Sequence, residues 1–207
     1  MNGAYVYFLA SAGPKEQRWL AEVALTRGYE QVAASTEKIL DQVAAAQNAD
    51  QLSRLLYQGN ERVNYSLERE SQSVRSAWDF REGLADLAAF AEKQKLLVAS
   101  AVQYRAAALG IGKIEPATPQ RNPEAEKIVI RRKRMGSITL DDLPEDQREG
   151  YPAASFWSVP LCAQYWCDGK RNLAEVIRLT ELEMGPQNFD FVGYFKFLLK
   201  HNYVDFV

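Results

Sequence analysis

Residues able to do chemistry are few and scattered in this chain. It holds one histidine, His201, and two cysteines, Cys162 and Cys167. Typical zinc and di-metal sites draw on several His, Cys and carboxylate ligands, so a lone histidine falls short of one. The C-x4-C pair has no partner His or Cys nearby and makes a poor zinc site. Five positions apart on one helix, the two thiols point in different directions, which disfavours a disulfide. Both read as buried thiols in a reducing compartment. His201 falls at the end of the last predicted helix, where a cation suits the dipole, and is expected to be solvated. Asp141-Asp142 and Glu181/Glu183 are carboxylate pairs of a kind common on surfaces, with no apolar cleft signalled around them. Neither a Walker loop, a G-x-G-x-x-G run nor a nucleophile elbow is present. The chain therefore reads as non-catalytic, with no metal and no cofactor.

The run Arg131-Arg132-Lys133-Arg134 is the other chemical candidate, a basic patch of the kind that contacts phosphate. Three features weigh against nucleic acid. Asp141, Asp142, Glu145 and Asp146 follow closely and cancel much of its field, and the net charge is -2. The last predicted helix carries Phe189, Phe191, Val192, Tyr194, Phe195, Phe197, Leu198 and Leu199, whereas a base-reading helix needs a polar face. A solvated β-hairpin explains the run more simply, and DNA binding by a transcriptional regulator stands as the disfavoured alternative.

The elements around these residues are legible in part. In the tail, Asp168-Gly169 is turn chemistry, and Asn172 with Glu175 three places on is a variant capping box. Leu173, Val176, Ile177, Leu179 and Leu182 line one face of the helix that follows, which stops at Met184-Gly185-Pro186. A helix over about 188–200 leads into the β-prone end at Tyr203-Val204-Asp205-Phe206-Val207. Upstream, 127–140 looks extended, with a turn at Gly136. Residues 127–207 are thus expected to form a winged-helix-like domain, helical with a small β-hairpin.

Residues 1–110 predict a bundle of long helices. Gly13-Pro14 breaks the opening apolar segment, and Pro14 suits a first helical turn. Gly28 is expected to end the helix that carries Trp19, Leu20, Val23 and Leu25. A second covers about 30–46, a third about 51–57 up to Gly59-Asn60, and 61–109 is helical with only Gly83 interrupting. Over 84–109 that last helix would be about 39 Å long. Ala-rich helices of this length pack as an antiparallel bundle or as a dimer seam. Gly and Pro residues mark 111–126 as a linker. The fold class is therefore mainly α. A composition of 47% apolar and 25% charged residues is that of a globular protein. No apolar run is long enough to span a membrane, and nothing basic precedes residues 4–12 as a signal peptide requires, so a cytoplasmic location is expected. The abrupt helical start reads as the end of an upstream domain.

Two segments carry a family resemblance. Tyr5-Val6-Tyr7-Phe8-Leu9-Ala10-Ser11-Ala12-Gly13 with Trp19-Leu20-Ala21-Glu22 resembles the closing helices of a di-zinc aminopeptidase domain of the leucine aminopeptidase type. The tail, from Phe156-Trp157 through Trp166-Cys167-Asp168-Gly169-Lys170-Arg171 to His201-Asn202-Tyr203-Val204, resembles the winged-helix extension of some bacterial members. The resemblance implies a zinc-dependent peptidase as parent and this chain as its non-catalytic C-terminal region. The family's His-x-Asp metal motif is missing, so no ligand or catalytic residue is carried over. The expected role is protein–protein interaction, oligomerisation or regulation. Its partner would be a second copy or the upstream peptidase domain, with a homo-oligomer favoured. Expected contact residues are Trp78, Phe90 and Tyr104 on the bundle and Trp157, Trp166, Tyr194 and Phe197 on the tail. An obligate interface should bury about 2,000 Å² or more.

Overall fold

The computed structural model describes residues 11–77, 81–118, 122–134, 136, 138, 140–151, 159–185 and 187–207. The chain divides into two units, Met1–Pro119 and Gln120–Val207, and is mainly helical. The first unit consists of α1 (Pro14–Ala45), α2 (Ala49–Ala77) and α3 (Arg81–Ala108). Pro14 opens α1 as expected, with the Glu16 carboxylate accepting from the Gly13 N–H at 3.1 Å. Asn48 punctuates the start of α2, its Oδ1 accepting from the Gln51 N–H at 2.9 Å.

Buried positions recur every three or four residues along the helices, the spacing of a coiled-coil-like seam. They include Val32, Ile39 and Val43 on α1, Leu52, Leu56, Val63 and Val74 on α2, and Leu87, Ala91, Val98 and Val102 on α3. Two glycines set the spacing between helices. Neither stops a helix, which corrects the expectation for Gly28 and for Gly59-Asn60. A Cβ on Gly28 would lie 3.1 Å from Leu87 Cδ2 and 3.3 Å from Glu70 Cβ. At Gly59 it would lie 2.9 Å from Val98 Cγ1 and 3.2 Å from Ile39 Cγ2. Each marks a place where three helices come too close for a side chain. The same contacts fix direction: Gly28 meets Glu70 while Ile39 meets Gly59, so α2 runs against α1. Leu87 and Val98 meet those two levels in the same order, so α3 runs with α1. Gly83, the other suspected interruption, sits inside α3.

The boundary between the two units falls within the expected linker 111–126, whose first part lies on the bundle. Gln103 and Ile114 exchange side-chain-to-backbone bonds of 2.7 and 3.1 Å, and Ser53 donates to the Glu115 carbonyl at 2.6 Å. Ile114 is buried on the bundle, whereas Ala125 belongs to the core of the second unit. Residues 114–117 lie along the helices, because backbone groups of Ile114, Glu115 and Ala117 find partners on them.

The second unit consists of β1 (Ile130–Arg132), α4 (Val159–Trp166), α5 (Leu173–Met184), α6 (Phe191–Lys200) and β2 (Val204–Phe206), with 3-10 turns at Ala125–Lys127 and Glu145–Gln147. Asn172 caps α5 by accepting from the Glu175 N–H at 2.9 Å, and Gly185 ends it at φ 83°, both as the sequence signals. Asp190 caps α6, which therefore starts at Phe191 rather than near 188. The strands correct the hairpin reading. β1 pairs antiparallel with β2, in the register Ile130 with Phe206 and Arg132 with Val204. Ile138 and Leu140 pack on the core instead. That core gathers Ile130, Leu173, Val176, Tyr194, Phe195, Leu198 and Val204. Inside it, buried Gln164 on α4 accepts from the Ile138 N–H at 3.0 Å and donates to the Tyr194 hydroxyl.

Candidate interaction surfaces

The segment between α4 and α5 is a structural joint. Asp168 Oδ1 accepts from the N–H groups of Lys170 and Arg171, both at 2.9 Å, and its Oδ2 pairs with the Arg171 guanidinium at 2.7 Å. The backbone N–H of Arg171, foremost among these contacts, holds the Asp168 carboxyl below the usual carboxylate range. Arg171 in turn lies over the Trp166 ring, 5.4 Å from its centroid. Gly169 N–H donates to Ile130 O at 3.0 Å and Leu173 N–H to Ile128 O at 2.7 Å, which ties the turn to the β1 region. These bonds account for the residue choice from Trp166 to Asn172 through folding alone.

Three of the four cations of the basic patch pair with two carboxylates of their own unit. Arg131 and Lys133 both pair with Asp205, at 3.2 and 3.0 Å, and Arg134 pairs with Asp142 at 2.9 Å. Arg132 lies over Tyr165 and Arg134 over Tyr203, each 5.6 Å from the ring centroid. The hydrogen bond from Lys133, then that from Arg131, lowers the Asp205 carboxyl; bonds from Tyr203 and Arg134 lower Asp142. Burial and the adjacent Asp142 push the Tyr203 hydroxyl up to about 12. Phosphate binding would have to displace these carboxylates, which weighs against nucleic acid.

Neither thiol is set up as a nucleophile. Cys162 is half-buried and donates to Glu183 Oε2 at 2.7 Å; burial and that carboxylate push it up to about 12. Burial raises Cys167 to about 12 as well. A nucleophilic cysteine needs the thiolate, which such environments suppress. His201 corrects the expectation of a solvated side chain. Its ring packs on Phe197, 4.5 Å between centroids, and Nε2 is buried without a hydrogen-bond partner among the described residues. No group of three or more His, Cys, Asp or Glu among the described residues is placed to hold a metal ion. An open hollow of about 330 Å³ near the α1–α2 connection is lined by amides, apolar groups and Arg54, without an acid, a thiol or an imidazole.

The expected contact residues separate sharply. Tyr194 and Phe197 are buried, so they build the core of the second unit and not its surface. Trp166 is half-buried beside that core, and Phe90 is half-buried against Tyr29 in an edge-on ring contact of 5.1 Å. Tyr104, by contrast, is 81% exposed. Trp78 and Trp157 lie outside the described residues.

Around Tyr104 is a surface that the sequence reading missed. Over 94–108, every exposed residue of α3 is uncharged: Leu96, Leu97, Ser100, Tyr104, Ala107 and Ala108. Leu96 is 68% and Leu97 47% exposed. The cations of this stretch are turned aside. Lys95 Nζ binds Glu92 at 2.5 Å and Asn64 at 3.1 Å, and the Arg105 guanidinium donates twice to the Ala46 carbonyl, at 2.9 and 2.8 Å. The signal was present in composition, since residues 96–102 of α3, Leu-Leu-Val-Ala-Ser-Ala-Val, cover every side of the helix without a charge, where α2 is polar outside. Periodicity alone could not say which apolar side faces solvent.

No family model, curated protein or solved structure matches the chain. None of the described helices is long and apolar enough to cross a membrane.

Proposed function

We propose that this chain is a non-catalytic C-terminal region of a peptidase-like protein that acts through contact with other protein, in oligomerisation or regulation. The observation that supports the contact role is the uncharged outer face of α3, with Leu96, Leu97 and Tyr104 standing in solvent. Contiguous exposed apolar surface marks interaction sites in soluble proteins. The peptidase parentage rests on the sequence resemblance of residues 5–22 and of the tail. We read residues 127–207 as winged-helix-like from their order of three helices and a final strand beside β1. Its basic patch, held by Asp205 and Asp142, gives the DNA-binding alternative little to work with.

The test is peptide hydrolysis. Purified chain, incubated with aminoacyl p-nitroanilides with and without added zinc, should release no more chromophore than buffer does. Turnover abolished by a chelator and restored by zinc would overturn the reading.

A further inference from the structure

We infer that the outer face of α3 is covered by a second copy of this chain, the two α3 helices packing antiparallel with Ser100 at the two-fold axis. This rests on the contact role proposed above and names its partner.

The chemistry of the face selects the partner. A two-fold interface brings each residue against the same patch on the other copy, so the patch must be compatible with itself. A patch of one charge sign fails that condition, because like charges would meet in a desolvated contact. This one satisfies it, since its exposed residues from 94 to 108 carry no charge. A dedicated foreign partner is selected by complementary charge at the contact, and the face offers none to read.

Charge also selects the direction. Exposed Glu92 and Lys93 lie at one end of the face, while Ala107 and Ala108 lie at the other. Parallel packing would set Glu92 against Glu92 and Lys93 against Lys93. Antiparallel packing centred on Ser100 sets Lys93 opposite Ala107 and Glu92 opposite Ala108, because those positions are equidistant from the centre. The same symmetry lays Leu96 against Tyr104 of the second copy, twice. Ser100, being small, lets the two backbones approach, as close helix packing requires. Positions 97, 100, 104 and 107 repeat at three and four residues, the spacing of a helical seam, with Lys93 left at its rim.

Size sets the strength. A buried tyrosine covers about 150–250 Å², and standard interfaces bury about 800 Å² on each partner. Two leucines, a tyrosine and three small residues fill the centre of such an interface but not its whole extent. The dimer should therefore form in the micromolar range and depend on concentration.

The experiment is light scattering and sedimentation on the full chain from about 1 to about 200 µM. The wild type should pass from monomer to dimer in that window. Tyr104→Glu and, separately, Leu96→Lys should weaken dimerisation by at least about tenfold. Both positions are exposed, so the helical circular dichroism and its melting should be retained; Tyr104→Ser serves if either charged variant loses helix. An equimolar mixture of Leu96→Lys and Tyr104→Glu should recover the dimer, since antiparallel packing joins those positions across the axis. A wild type that stays monomeric throughout overturns the inference, as does a dimer indifferent to both substitutions. A dimer that they disrupt but the mixture does not restore overturns the antiparallel arrangement. A monomer inert towards peptides rejects only the second copy, whereas peptide turnover by the chain rejects the reading on which it rests.

Discussion

The two units treat their hydrophobic side chains in opposite ways. The second unit is crowded with aromatics and conceals them: Tyr194, Phe195 and Phe197 form its interior, and rings at Tyr151 and Phe189 pack edge-on against them at 5.8 and 5.6 Å from Tyr194. The bundle is poorer in aromatics for its length and leaves Trp19, Leu96, Leu97 and Tyr104 exposed. Charges follow the same division. Cations at 131, 133 and 134 are paired with carboxylates of their own unit, while over 94–108 no cation of α3 is exposed on its outer face. Aromatic content alone, then, does not separate core from surface: Tyr194 and Phe195 are enclosed, while Tyr104 on an Ala-rich helix stands in solvent.

Three measurements press on this contrast. Phe195→Ala should have the largest effect, since it empties a fully buried ring site and costs about 3–5 kcal/mol. Amide exchange should accelerate across the second unit, with α1–α3 retaining protection; equal loss in both would mean that the cores are not separate. Gly59→Ala comes next. Alanine gains up to about 1 kcal/mol in helix propensity, but its Cβ would sit 2.9 Å from Val98, and overpacking costs about 1–3 kcal/mol. Denaturant unfolding should show a net loss of up to about 2 kcal/mol. At Gly28 the nearest atom, at 3.1 Å, is the tip of Leu87, so Gly28→Ala should be the milder change. Equal costs would undo the argument that Gly59 marks the tighter crossing.

Acid should have the smallest and most local effect. The lowered carboxyl of Asp205 stabilises the fold above its unfolded pKa of about 3.9, and that contribution disappears as pH falls through the still lower folded value. Asp142 and Asp168 act in the same direction. Exchange at β1 and β2 should therefore accelerate below about pH 4, before the α1–α3 amides respond. Uniform acid sensitivity would contradict the assignment of these ion pairs to the second unit.

Local signals were legible where a residue answers to its neighbours. Pro14, Asn172 and Gly185 act within a few positions of themselves, so their roles at helix ends could be read directly. The helix-breaking reading of Gly28 and Gly59 failed because Leu87 and Val98, far along the chain, decide what those glycines are for. Arg131 was expected in a hairpin because its counter-charge, Asp205, lies 74 residues away. Of the expected contact residues, Tyr104 is open to solvent, while Tyr194 and Phe197 are enclosed. The exposed positions of Leu96 and Leu97 follow from which side of α3 the other helices occupy, a property of three segments together.

Gln164 gives one further consequence. A carboxamide has distinguishable ends, and here its oxygen takes the Ile138 N–H while its nitrogen serves Tyr194. Rotating the amide would break both bonds at once. Leucine of similar bulk would fill the volume yet leave a backbone donor and a phenol stranded in an apolar interior. The placement of the Ile138 backbone against α4 is thus written in polarity as well as in shape, and a displacement of that backbone is penalised even where its side chain would still fit.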